Sequence, residues 1–207
     1  MAKDTYKNYE DLVTTEGTKA FRIRYEHHGY LGLIILAIHG GGIEGGTSEI
    51  VEDAANGVYT QYKFEGLKPS KNSTLHLTST VFDAPFARDI VRQHKRVLSV
   101  HGYKGEEGVK HTLIGGTDRD AVNRMHQALT DQGFSASIVD EGGHLGGTDP
   151  DNIANLGTTG KSVQLEISQA QRQALFDDFS LRGRETSKNE EFDRYLYAIK
   201  KFTETFE

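Results

Sequence analysis

The stretch LGLIILAI, residues 31–38, constrains this chain more than any other. It is apolar at alternate and at intervening positions, so as a strand it must be covered on both faces. It is also far too short to cross a bilayer, which takes about 20 residues. A chain of 207 residues can bury a core without cross-links, so the run is expected inside a sheet. It ends in His39. Glycines crowd the next seven positions, Glu44 stands among them, and a helix-like sequence follows.

Further strands are expected at Phe21–Glu26, Val58–Phe64, Thr74–Ser79, Arg96–His101, Ser135–Val139 and Ser162–Ile167, all rich in β-branched and apolar residues. Amphipathic stretches lie between them. In TDRDAVNRMHQALTDQG, Ala121, Val122, Met125, Ala128 and Leu129 share one helical face. Thr117 with Asp120 resembles a capping box there, and Gly133 suits the stop. Ser168 with Gln171, and Ser187 with Glu190, are expected to open two later helices, and Ala84–His94 carries another behind Pro85. Strands alternating with helices imply an α/β fold, one domain over residues 1–207, with a mixed, mostly parallel sheet flanked by helices.

Composition narrows the chemistry. There is no cysteine, so disulfides and thiolate metal sites are excluded. Any metal must be held by His, Asp or Glu. A net charge of −6 argues against a nucleic-acid partner. The start, MAKDTYKNYEDL, is polar and is no signal peptide. A soluble protein with no membrane association is expected.

In open α/β sheets, ligands gather at the carboxyl ends of strands. His39 and His101 each end an apolar run, and each is followed by glycine. Two histidines and a carboxylate, Glu44, meet the needs of a zinc site with one open position. The same residues also suit a plainer reading, in which both histidines end strands and hydrogen-bond locally. In SVQLEIS, Gln164 and Glu166 fall on one face, and Val163, Leu165 and Ile167 on the other. That makes Glu166 either a residue of a wet edge strand or a general base. GGGIEGGTSE fits neither dinucleotide nor Walker patterns, and its acidic residues would repel phosphate. No G-x-S-x-G elbow exists, and Ser99 only shares a strand face with His101. Arg119, just inside a helix start, is placed to aim a guanidinium at a carboxylate. His144 lies in a glycine-rich loop that suits a flap, and His76 is expected to pack or hydrogen-bond.

AIHGGGIEGGTSEI, LHLTSTVFD, VLSVHGY and NLGTTGKSVQLEIS, in that order and spacing, resemble the phage-type poly-γ-glutamate hydrolases, from about Tyr9 to about Leu175. The resemblance implies a carboxypeptidase-like α/β fold around one zinc ion that hydrolyses γ-glutamyl amide bonds. By position it implies His39, Glu44 and His101 as zinc ligands and Glu166 as general base. It also implies a phage-encoded enzyme that strips a poly-γ-glutamate capsule. Such an enzyme would be made in the cytoplasm of the infected host and released at lysis, and a monomer is expected. The first ligand pair is spaced H-x-x-x-x-E rather than H-x-x-E as in carboxypeptidases. Leu156 stands where many members carry arginine, so Arg119 and Lys161 become the candidates for holding a substrate carboxylate. Two other readings are a zinc amidase on another γ-glutamyl or N-acyl amino-acid substrate, and a non-catalytic polymer-binding module.

Overall fold

The structure, a computed structural model, describes residues 4–206. Its helices and strands run α1 (Tyr9–Glu16), β1 (Phe21–Glu26), β2 (Leu33–Gly41), α2 (Thr47–Ala55), β3 (Thr60–Gly66), α3 (Pro85–Val91), β4 (Arg96–Tyr103), β5 (Thr112–Gly115), α4 (Arg119–Asp131), β6 (Ala136–Ile138), β7 (Lys161–Ser168), α5 (Gln169–Ala174) and α6 (Glu190–Thr203). The strands form one sheet in the order β1-β3-β2-β4-β7-β5-β6. The four inner strands β3, β2, β4 and β7 are parallel to one another, while β1 and β5 join them antiparallel. This is the single-domain, mostly parallel α/β sheet expected from the sequence.

The apolar run of β2 feeds two cores, one on each face of the sheet. Leu33, Ile35 and Ala37 pack with Val51 of α2, Met125 of α4 and Phe192 of α6. Ile34, Leu36 and Ile38 pack with Leu12 of α1, Ile90 of α3 and Phe64 of β3. Continuous burial on both faces is why no polar residue interrupts the run.

A break in this alternation creates the site. Ala37 pairs with Lys63 and Gly40 with Glu65, so Ile38 and His39 together oppose Phe64 alone. That extra residue is a β-bulge, which re-aims a side chain. Strict alternation would send His39 to the face of Ala37. Instead it meets Leu77 and His101, on the face of Ile38.

Several expected elements differ. Thr74–Ser79 is not a strand: Asn72–Leu75 is a 3-10 turn and the following residues are irregular. Leu75 and Leu77 are buried, which explains the alternation, but no neighbouring strand pairs with them. The short β5 and the helix α1 were not expected, although Asn8 caps α1 by accepting from the Asp11 amide. Asp118, not Thr117, caps α4, and Asn189, not Ser187, caps α6. Ser168 caps α5 by accepting from the Gln171 amide, as its spacing predicts. Among the described residues, no helix is long and apolar enough to cross a membrane.

Two-sided burial yields a direct test on neighbouring residues. Ile35→Ala and Leu36→Ala, both fully buried, should each cost about 2–5 kcal/mol in urea unfolding. A near-neutral result for either would contradict a core on its face.

Candidate metal centre

His39 leaves β2 through the bulge, His101 lies near the end of β4, and Glu166 pairs with His101 in register on β7. Neighbouring strands are about 4.8 Å apart. Ser99 and His101 lie on the opposite face from Leu98 and Val100, and Gln164 and Glu166 on the opposite face from Val163, Leu165 and Ile167. All therefore share the face to which the bulge turns His39. Glu44 is folded back over them by the glycine-rich loop: its amide donates to the His39 carbonyl at 2.9 Å.

The donor atoms converge. Glu44 Oε1 lies 3.2 Å from His39 Nδ1, and Oε2 lies 3.9 Å from His101 Nδ1. The two Nδ1 atoms are 3.1 Å apart. One donor atom from each of the three residues lies within 4.8 Å of the other two. The far side of each ring explains why Nδ1 faces inward. His39 Nε2 is 2.7 Å from the Leu77 carbonyl, which can only accept, so Nε2 carries the proton. His101 Nε2 is 2.7 Å from Ser99 Oγ. Such outer partners fix the tautomer and rotation of a ligating imidazole.

Electrostatics follow from this packing. Burial pushes His101 down to about 3, and the His39 charge pushes the same way. Burial opposes charge on His39 and Glu44 too, but their mutual attraction prevails. His39 is raised above its ordinary value, and Glu44 is held at about 2, with the Gly102 amide also donating to it at 2.8 Å. The raised value favours a protonated His39, whose Nδ1 faces both Glu44 and His101. Two imidazole nitrogens and a carboxylate oxygen, all turned to one point, are a donor set that can hold a divalent metal ion in the proton's place.

Glu166 differs from Glu44. Burial raises its carboxyl well above the ordinary range, and the Glu44 charge adds to the shift. Gln164 Nε2 donates to its Oε1 at 3.0 Å. The Gln164 oxygen in turn accepts from Asn152 Nδ2 at 3.0 Å, which fixes the amide's orientation. Strand β7 lies between β4 and β5, so Glu166 is not on a wet edge.

Other expected residues fall less centrally. Lys161 opens β7, five positions before Glu166, which is about 16 Å along a strand. Its Nζ lies 3.5 Å from Asp118 Oδ2. The sheet therefore does not bring it to the His39 end. Arg119 opens α4 with Nε 3.8 Å from Glu141 Oε1, and its buried Nη1 has no partner among the described residues. His144 is exposed in the loop that holds Glu141, beside Leu145, whose carbonyl lies 3.5 Å from Gln164 Nε2. Ser99 is fully buried, which suits an anchor for His101 and not a nucleophile.

Sequence reasoning missed the cations behind the site. Arg172 is buried and donates to the carbonyls of Ile167, Gly45 and Tyr103, at 3.1, 2.8 and 3.4 Å. It thereby ties the ends of β7 and β4 to the Glu44 loop. Any side chain at position 102 would collide with it, since an ideal Cβ there lies 2.4 Å from Arg172 Nε. The glycine after His101 therefore makes room for a guanidinium. Arg184, also buried, donates to the Gly41 carbonyl at 2.7 Å and to Glu49 at 3.2 Å. Gly41 itself sits at φ +64°, a conformation that favours glycine. Neither arginine has a local sequence signal, because the contacts that bring each to the glycine-rich loop, Arg172 to Gly45 and Arg184 to Gly41, cross 127 and 143 residues of chain.

Known proteins resemble the chain over nearly its whole length. The family model described as poly-gamma-glutamate hydrolase matches residues 6–198. UPF0714 protein YmaC of Bacillus subtilis (strain 168) is 46% identical over 197 residues, covering 95% of this chain and 83% of the relative. A solved structure of zinc-free apo YndL superposes with a TM-score of 0.94 at 39% identity, covering 98% of both chains. A bacteriophage poly-gamma-glutamate hydrolase structure superposes with a TM-score of 0.92 at 38% identity, covering 99% of this chain and 98% of the other. With this match spanning nearly its whole length, the chain belongs to the poly-γ-glutamate hydrolase family.

Proposed function

We propose that this protein is a zinc-dependent endo-hydrolase of poly-γ-glutamate, with His39, Glu44 and His101 holding one zinc ion and Glu166 acting as general base. The observation that carries this reading is the convergence of two Nδ1 atoms and a carboxylate beside a buried glutamate, in a chain of this family. When bound, zinc supplies Lewis-acid polarisation of a carbonyl and lowers the pKa of water toward about 7.

The chain's own residues do the rest. Gln164 occupies Oε1 of Glu166, which leaves Oε2 to take a proton from the attacking water. The same carboxyl then returns that proton to the leaving amine nitrogen as the amide bond breaks. Dry surroundings bring the base toward working pH. A γ-linked polymer carries a free α-carboxylate on every residue. Arg119 is the first candidate to hold one, with its unpartnered Nη1, and His144 sits on the same side of the site. Lys161 could reach only substrate that extends well away from the ligands.

The site's local charge suits such a polymer despite the net −6 of the chain. Arg172 lies behind Glu44 and attracts its negative charge, while Arg184 pairs with Glu49 beneath the same loop. The biological setting in this reading is a phage-encoded enzyme, working as a monomer, that reaches the capsule after host lysis.

Glu166→Gln should lower kcat by about two orders of magnitude or more with zinc still bound. Near-normal turnover would reject Glu166 as the base. The same substitution should affect stability with a definite sign. A carboxyl raised in the folded state favours folding below its ordinary value of 4.5, and that contribution is lost as pH climbs through the raised value. In zinc-free protein, the Gln variant should therefore gain in melting temperature over wild type as pH rises from about 4 to about 9. A constant or shrinking difference would contradict a strained buried carboxylate.

Metal and cutting mode are tested together by following polymer size. Long chains should shorten quickly with zinc, stop shortening after dialysis against chelator, and resume when zinc returns. Hydrolysis by metal-free protein would refute the zinc assignment, and slow release of monomer from intact chains would refute internal cutting.

A further inference from the structure

Asp4, the first described residue, reaches the surroundings of the site. Asp4 Oδ1 lies 2.9 Å from His76 Nδ1, and Oδ2 accepts from the Thr78 amide at 2.9 Å. Between those two residues stands Leu77, whose carbonyl takes the Nε2 proton of His39. The His76 ring lies against the His39 ring, with centroids 4.1 Å apart and 30° between planes. His76 Nε2 is 3.7 Å from Glu44 Oε1. Residues 76–78 thus contact two of the three donor side chains, and Asp4 holds both ends of that segment.

No strand pairs with residues 76–78, so no ladder fixes the Leu77 carbonyl. Its position rests on the burial of Leu77, on turn bonds at the two ends of the segment (the His76 amide to the Ser73 carbonyl at 3.3 Å, the Val81 and Phe82 amides to the Thr78 carbonyl at 2.7 and 2.9 Å), and on the two bonds to Asp4, which alone among these tie it to a distant part of the chain. His76 stands outside the group whose donors lie within 4.8 Å of one another, which separates it from the ligands themselves.

We propose that Asp4 and His76 are a positioning pair that sets how tightly the metal site holds a divalent ion. Asp4 fixes the 76–78 segment, and that segment fixes the tautomer and rotation of His39 and the near oxygen of Glu44. Docking of the N-terminal segment and retention of the ion are then one event. This rests on reading His39, Glu44 and His101 as the ligands.

The test is zinc affinity of the full chain, measured by competition with a chromophoric chelator, with no substrate present. Asp4→Asn and His76→Phe should each weaken binding about tenfold or more, the usual effect of losing an outer partner. Their double variant should be no weaker than the worse single, because the pair acts as a unit. Glu16→Gln is the control. It removes the Lys68–Glu16 ion pair, at 2.6 Å, and weakens the bonds from the Tyr6 and Thr74 hydroxyls, so it loosens the neighbourhood of the pair without contacting Asp4, His76 or the three donors. It should lower the melting temperature and leave zinc affinity within about twofold. Should Asp4→Asn fail to fold, His76→Phe against Glu16→Gln decides the matter. Wild-type affinity in either Asp4→Asn or His76→Phe, or an equal loss in Glu16→Gln, overturns the proposal. His101→Ala separates this from the parent reading. If it keeps zinc affinity, the ligand assignment fails. If it loses zinc while Asp4→Asn does not, only the role of the pair fails.

Discussion

Everything at this site depends on one carboxylate held against two imidazoles, one from its own loop and one from a distant strand. Glu44 reaches 3.2 Å from His39 and 3.9 Å from His101, in a place almost closed to water. Placing a carboxylate there carries a large desolvation cost unless a cation shares the space. A protonated His39 meets that need, and Glu44 accordingly raises the histidine above its ordinary value. A divalent ion answers the same electrostatic need with two charges instead of one. The attraction that holds the loop down without metal is therefore the one that shapes the donor set for it.

The scaffold around this contact is stiff for identifiable reasons. The parallel strands β2, β4 and β7 bring their carboxyl ends side by side, and cores on both faces lock their register. Arg172 then binds three carbonyls from three separate segments at that end. Its buried positive charge faces both Glu44 and Glu166, so it also eases their mutual repulsion. Glu166 remains the group held least comfortably, its carboxyl raised by burial and anchored through Gln164 and Asn152. A carboxyl kept dry and poised to ionise is what proton transfer at neutral pH calls for.

The parts of this site that could be read from sequence were those with a local signature. His39 and His101 end apolar runs, Glu166 stands on the polar face of an alternating strand, and glycines around Glu44 announce a loop. The α/β class followed from the same periodicities. What stayed hidden depends on contacts between distant segments. The bulge at Ile38 and His39 exists only relative to β3. Arg172 looks like an ordinary helix arginine until the Gly45 and Tyr103 carbonyls meet it. Residues 74–79 alternate like a strand because Leu75 and Leu77 are buried, yet their backbone has no ladder. The glycine after His101 was visible, but its reason, space for a guanidinium, was not.

The central claim is that His39 Nδ1, His101 Nδ1 and a Glu44 oxygen face one common point. Crystals grown with zinc and measured on both sides of its absorption edge test this most directly. The account predicts one anomalous peak about 2.0–2.2 Å from all three atoms. A peak bonded through Nε2 of either histidine, or one that lacks Glu44, would contradict it.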